Sequence, residues 1–254
     1  MNINKQFNVL LSMTLANLKS RYRNTFYGFL WVVLNPIITY LVQVFAFTMI
    51  FQSNFANYPL YLLGGLIPWL FIVQSVDMCT GIFLHNGHIL KNLPINPLVL
   101  PLSQMIDNFI NFICAFLILI LYFASRGKIS PVVIPILIAP VLSLFVMVTS
   151  LSIIFAVINV KYRDLKFIVS FVFTVLFFLT PIFYSVHIVP ANIRMIISKN
   201  PFYFVIRPFQ ELFMNGATIT FFQSLAVSFG VSVTLVIIAF ICWNKMKRNI
   251  SFYA

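Results

Sequence analysis

Four polar residues, Gln104, Asp107, Asn108 and Asn111, stand at i, i+3, i+4 and i+7 inside an otherwise apolar run. That spacing puts them on one stripe of a helix. Polar groups are costly in hydrocarbon, so the stripe must face protein or water. It either lines or supports a polar passage, or it acts as hydrogen-bonding glue between helices. Gln43 and Gln74 admit the same two readings. Tyr40, Gln43 and Phe47 share a face of an earlier apolar run. Rings beside a polar group can carry the C–H faces of a sugar along a wet passage, or they can be ordinary core. Other chemistries lack their residues. No G-x-x-x-x-G-K-[ST] loop occurs, so this chain is not expected to hydrolyse ATP by itself. The acids, Asp77, Asp107, Asp164 and Glu211, are too scattered for a paired-carboxylate site. His85 and His88 lie at i and i+3 without a third ligand nearby, so no metal is expected. Cys79, Cys114 and Cys242 fall in apolar segments and read as small buried hydrophobes.

The elements that hold these residues must be long and apolar. Of 254 residues, 61% are hydrophobic and 8% charged, against about 25% charged in a soluble domain. Near-continuous apolar runs, without the short alternating segments of a barrel, predict an all-α polytopic membrane protein. The net charge is +12. Its cations sit in short connections, the pattern of topology anchors and anionic-lipid contact, and not of a nucleic-acid-binding face. A span needs about 20 apolar residues, which predicts six transmembrane helices at about 26–51, 60–83, 98–123, 131–160, 167–184 and 221–243. The first run is too long for a signal peptide and lacks a small-residue cleavage site.

Residues 1–25 carry Phe7, Leu10, Leu11, Leu15 and Leu18 at helical spacing, predicting an amphipathic interface helix. Residues 26–254 form a single transmembrane domain. Gly64, Gly65 and Pro68 in the second span point to a break or to close helix packing. HNGHILKNLPINP (85–97) reads as a connection with a helical turn, and KYRDLK (161–166) as a compact basic turn. Residues 186–220 contain Pro190, Pro201 and Pro208 and no fragment long enough to cross. Two short helices, about 192–197 and 202–214, are expected to dip in from outside and return, which protein or water must cover. Six spans put both termini on one side. That side then holds eleven cations (Lys5, Lys19, Arg21, Arg23, Lys91, Lys161, Arg163, Lys166, Lys245, Lys247, Arg248) against five on the other (Arg126, Lys128, Arg194, Lys199, Arg207). The bias predicts cytoplasmic termini.

Six stretches, in order, carry a family likeness: LKSRYRNTFYGFLWVVLNP (18–36), YLLGGLIPWLF (61–71), NGHILKNLPINPLVLPLS (86–103), NVKYRDLKFIV (159–169), TPIFY (180–184) and NPFYFVIRPFQELF (200–213). The chain resembles the membrane subunit of ABC exporters that move lipid-linked polysaccharides, the O-antigen, capsule and teichoic-acid type of the ABC-2 class. The resemblance implies a homodimer in the bacterial cytoplasmic membrane, with two ABC ATPase subunits that bind the ATP and Mg. No cofactor is implied on this chain. It implies ATPase docking at His88, Leu90, Lys91, Asn92, Pro94, Arg163 and Asp164, helped by the N-terminal helix. The first and fifth spans of both copies would enclose the glycan path, bringing in Tyr40, Gln43 and Phe47, with Gln104, Asp107, Asn108 and Asn111 as further path residues. Helices within 188–214, with Pro190, Asn200, Pro201 and Arg207, would form an outer gate. Arg21 and Arg23 would stand at the lipid diphosphate, which suits the planar donor fork of arginine. Two other functions compete. One is an ABC-2 permease for a small lipid or drug. The other is an intramembrane enzyme on polyprenyl-linked sugars, which would need a clustered acid, base or metal site.

Overall fold

The computed structural model describes residues 3–22, 28–50, 57–92, 95–186, 189–197 and 199–253. Among these there is helix and no strand. The order is α1 (Ile3–Tyr22), α2 (Gly28–Phe45) running on into a π-helical turn (Ala46–Ile50), α3 (Tyr58–Thr80), α4 (Ile82–His85), α5 (Gly87–Asn92), α6 (Val99–Ser125), α7 (Val133–Ile136), α8 (Ile138–Lys161), α9 (Leu165–Leu179), α10 (Ala191–Ile197), α11 (Pro201–Asn215) and α12 (Ile219–Tyr253). Four stretches are long and apolar enough to cross a membrane: Tyr58–Thr80, Val99–Ser125, Val133–Lys161 and Ile219–Met246. Leu34–Met49 and Leu165–Leu179 are apolar but shorter.

α3 is the centre. Of its most apolar window 78% is buried, against 17% for α12, so α3 is packed on all sides while α12 presents most of its surface outward. Leu62, Leu63, Leu66, Ile72 and Val76 form the middle of the main core, which α6, α8, α9 and α11 complete. The glycines of α3 are there for close packing. The helix runs through Gly64 and Gly65 unbroken, and a Cβ on Gly64 would come within 2.9 Å of the Gln210 backbone nitrogen. The backbones of α3 and α11 can touch only because that Cβ is missing.

α12 lies along α8. Ser143 on α8 meets Ser228 and Ser232 on α12, and Ser232 Oγ also donates to the Ser143 carbonyl at 2.9 Å. Further along, Ala156, Val157 and Val160 near the end of α8 belong to an apolar cluster against which Trp243 and Met246 of α12 pack. Both sets of contacts advance together, so the two helices run in the same direction.

Several boundaries differ from the sequence reading. The fifth expected span reaches only to Leu179, because Thr180 precedes Pro181 and is driven out of helical backbone, to φ −99° and ψ 129°. The connection at 85–97 is more helical than expected, with α4 and α5 in place of one turn. α12 continues through Lys245 to Tyr253, because lysine and arginine end a span without ending a helix. The two short outer helices, expected at 192–197 and 202–214, fall at Ala191–Ile197 and Pro201–Asn215.

Candidate functional site

Where α9 stops, the backbone of residues 180–184 must find partners outside a helix. Side chains from α3 and α11 supply them. Gln210 Nε2 donates to the Pro181 carbonyl at 3.0 Å. Tyr61 Oη sits 2.9 Å from that carbonyl and 2.7 Å from the Tyr184 carbonyl, so its single proton serves one at a time. Tyr58 Oη donates to the Phe183 carbonyl at 3.2 Å. Asn200 makes two links: Nδ2 donates to Thr180 Oγ1 at 2.9 Å, and Oδ1 accepts from the Phe202 backbone at 3.0 Å, capping α11. Pro201 opens α11, where its missing N–H costs nothing. A Cβ on Gly65 would approach the Ile182 carbonyl oxygen at 2.8 Å, so this glycine admits the segment.

Beside this clamp lies a polar recess of about 270 Å³, bounded by Tyr61, Ser185, Tyr203, Arg207, Gln210 and Glu211. Arg207 Nε donates to Glu211 Oε1 at 3.2 Å, and its guanidinium stands 5.5 Å from the Tyr203 ring centre. Glu211 Oε2 accepts from Asn215 Nδ2 at 2.8 Å and from Thr220 Oγ1 at 3.2 Å. Burial pushes the Tyr203 phenol above its ordinary value, against the pull of Arg207, so it stays a neutral donor. The recess thus offers a donor fork, a carboxylate and a phenol, a set that can hydrogen-bond hydroxyl groups. Of the four gate residues named from sequence, Asn200, Pro201 and Arg207 belong to the clamp and recess, and Pro190 is exposed just ahead of α10. Sequence reasoning missed Tyr58, Tyr61, Gln210 and Glu211. Their signal is local: two tyrosines about one and two turns ahead of the paired glycines, and the polar pair in the quoted FQELF.

The α6 stripe turns into the protein. Asp107, Asn108 and Asn111 are buried, and Gln104 Nε2 donates to Asp107 Oδ2 at 3.1 Å and to Asn108 Oδ1 at 3.3 Å. A cavity of about 20 Å³ sits where Asn108 and Asn111 meet Gln74 of α3 and Pro36 of α2, enough for one water molecule. Tyr40, Gln43 and Phe47 do share a face, and it turns toward α3. Tyr40 is buried, with its Oη donating to the Pro59 carbonyl at 2.7 Å. Phe47 packs on Tyr58 and Phe183, with ring centres 6.0 and 5.1 Å away. Gln43 is half-buried, and its Oε1 has no hydrogen-bond partner among the described residues.

At the opposite end, α1, α5 and the 161–164 turn converge. Leu90 of α5 and Met13 of α1 pack against a second apolar cluster formed by Ile82, Phe83, Leu100, Ala156, Val157 and Val160. That cluster ends one residue before Lys161. His88, Lys91, Asn92, Arg163 and Asp164 are all exposed at this end. α1 is helical over the expected stretch, but its apolar residues divide. Phe7, Leu11 and Leu15 form an outward row, while Leu10 and Leu18 are half-buried. Arg23 and Pro94 lie outside the described residues, as does the side chain of Arg21. Among the described residues, no three His, Cys, Asp or Glu come together as metal ligands.

The ABC-2 type transporter family matches residues 8–214 of the chain. An O-antigen export system permease protein, RfbA, of Klebsiella pneumoniae is 28% identical over 248 residues, which is 97% of this chain and 95% of that protein. A protein of the same name from Myxococcus xanthus is 30% identical over 207 residues, 81% of this chain and 80% of its own length. The polysialic acid transport protein KpsM of Escherichia coli is 19% identical over 208 residues, 81% of each chain.

Proposed function

We propose, since this chain belongs to the ABC-2 type transporter family, that it is the membrane subunit of an ATP-driven exporter of lipid-linked polysaccharide. The carrying observation is the end-to-end likeness, over 97% of the chain, to a permease named for O-antigen export. The chain is a multi-pass membrane protein whose family works with an ABC ATPase.

The finer reading has six spans. α2 with its π-helical turn is the first and α9 the fifth, and both termini face the cytoplasm of a bacterial inner membrane. Two copies enclose the path, and each carries one ATPase subunit, which binds ATP and Mg. The convergence of α1, α5 and the 161–164 turn on one apolar cluster supports a docking face there: His88, Lys91, Asn92, Arg163 and Asp164 would make contact, while Leu90 ties α5 to α8. Pro94 would complete that face.

Between the copies, the outward faces of α2 and α9 would wall the path. They are rich in exposed rings, Trp31 and Phe45 on one and Phe167, Phe171 and Phe178 on the other. Gln43 and Phe47 would edge it, Tyr40 would brace α2 from behind, and the Gln104–Asp107–Asn108–Asn111 stripe would support α2 and α3 from within. Arg21 and Arg23 would hold the lipid diphosphate. The clamp at 180–184, with α10 and α11, would act as the outer gate, its recess at Arg207 and Glu211 receiving glycan hydroxyls.

The test is reconstitution in vesicles with the ATPase subunit. ATP should drive a lipid-linked glycan outward, and Arg21→Ala with Arg23→Ala should slow export while dimers still assemble. Transport without the ATPase, or full-rate export by the double variant, would overturn the corresponding part.

A further inference from the structure

α9 stands away from α8 and α12 and leaves a groove of about 700 Å³ between them. Its walls are apolar: Leu151 and Phe155 on α8, Val169 and Phe173 on α9, Val231 and Leu235 on α12. The one hydroxyl among its lining residues, Thr234 Oγ1, is already used, donating to the Gly230 carbonyl at 2.8 Å. Nothing there would hold water, and an empty slot of this size would forfeit dispersion contacts along its whole lining. Two of its walls, α8 and α12, are long and apolar enough to span a membrane, so its natural filling is hydrocarbon. Along α9 the groove runs from Leu165 to Leu176. That is about 16 Å at 1.5 Å per residue, close to one leaflet of a hydrocarbon core about 30 Å thick.

The Leu165 end has a different character. Leu165 and Ile168 also line a second, open recess of about 590 Å³ whose other walls are Lys161, Tyr162, Arg163 and Asp164. Lys166 is the next residue along α9. Asp164 is the one acid at this mouth, against three cations. Lys161 Nζ lies 5.2 Å from the Tyr162 ring centre. No ion pair among the described residues engages Lys161, Arg163 or Lys166. An apolar slot one leaflet deep, opening at a cationic mouth, is complementary to an amphiphile with a single-leaflet tail and a negative head.

We infer that this composite site binds an anionic membrane phospholipid, with an acyl chain in the α8–α9–α12 groove and its phosphate at Lys161 and Arg163. The site is separate from the proposed glycan path, which lies on the other face of α9, where Phe167, Phe171 and Phe178 point outward.

Native mass spectrometry of the purified full-length protein tests this, with phosphatidylglycerol or phosphatidylcholine of the same acyl chains added. The parent should retain phosphatidylglycerol preferentially. Lys161→Gln with Arg163→Gln should lower that preference by about thirtyfold, since each surface cation contributes about fivefold. Both side chains are exposed at the 161–164 turn, so this arm does not depend on repacking. Gly230→Leu should expel both lipids. A Cβ at Gly230 meets nothing within 4 Å, so the leucine fills the groove, and Val231→Trp is a second filler should the first fail to fold. Equal retention of the two lipids by the parent, or unchanged retention in both filled variants, would overturn the inference. So would displacement of phosphatidylglycerol by undecaprenyl phosphate, which would give the groove to the cargo, or a Gly230→Cys disulfide between copies in membranes, which would give it to a second chain.

Discussion

Gly64 and Gly230 are both helical glycines, and replacing each with alanine should move stability in opposite directions. At Gly230 the new Cβ meets nothing within 4 Å, so the gain in helix propensity, up to about 1 kcal/mol, is available in full. At Gly64 the Cβ would stand 2.9 Å from both the Gln210 nitrogen and the Phe209 carbonyl carbon. These are backbone atoms of α11 and cannot swing aside as a side-chain tip would. Relief requires moving α11 off α3 by several tenths of an ångström, which also stretches the bond from Gln210 to Pro181. The propensity gain is common to both positions, and overpacking of this kind costs about 1–3 kcal/mol, so the two alanine variants should differ by about 1–3 kcal/mol. At about 2–4 °C per kcal/mol for a chain of this size, their melting midpoints should lie about 2–12 °C apart. A thiol-reactive dye in detergent reads this out, because Cys79 is buried and becomes reactive as the core opens. If Gly64→Ala melts at or above Gly230→Ala, the close approach of α3 and α11 is not what the glycine is for.

Gln210→Leu keeps the volume but removes the donor to Pro181, and should cost about 1–3 kcal/mol in the same melting assay for the carbonyl left behind. Ser143→Ala removes one member of the hydroxyl set joining α8 to α12. Hydrogen bonds between membrane helices average about 0.6 kcal/mol, so a small downward shift is expected, and a shift above about 2 kcal/mol would mean the cluster does more than join two helices. Leu90→Ala should leave the fold nearly as stable, since Leu90 is only half-buried. It should nevertheless loosen α5 and lower both ATPase-subunit capture and ATP-driven export, and undiminished capture would refute the docking face.

Composition and run length were enough to reveal the long helices, because hydrocarbon demands about 20 apolar residues wherever a helix crosses. The short helices α10 and α11 were legible to within a residue or two because prolines mark their starts: Pro190 ahead of α10, and the Asn200–Pro201 cap of α11. The end of α9 was not, although Pro181 was visible, because hydropathy continues through Ile182 and Phe183 while backbone geometry does not. The π-helical turn at Ala46–Ile50 has no residue in it that calls for one. The α6 stripe was legible as a stripe, but spacing alone does not say which neighbour it meets, and burial turned it inward against α3 and α2. The clamp was hidden for the same reason. Tyr61 and Gln210 are about 150 residues apart in sequence, and only the touching of α3 and α11 at Gly64 gives them a shared target.

The shared direction of α8 and α12 has a consequence for counting. A chain that descends through a membrane along one helix and descends again along its neighbour must make an odd number of crossings in between. Under the proposed topology α9 is that crossing, and α10 and α11 would then add no single crossing of their own: whatever depth they reached, they would give back. The loop at 216–218 would then lie across the membrane from the turn at 162–164. Three serines, by holding two helices parallel, do the arithmetic for the second half of the chain.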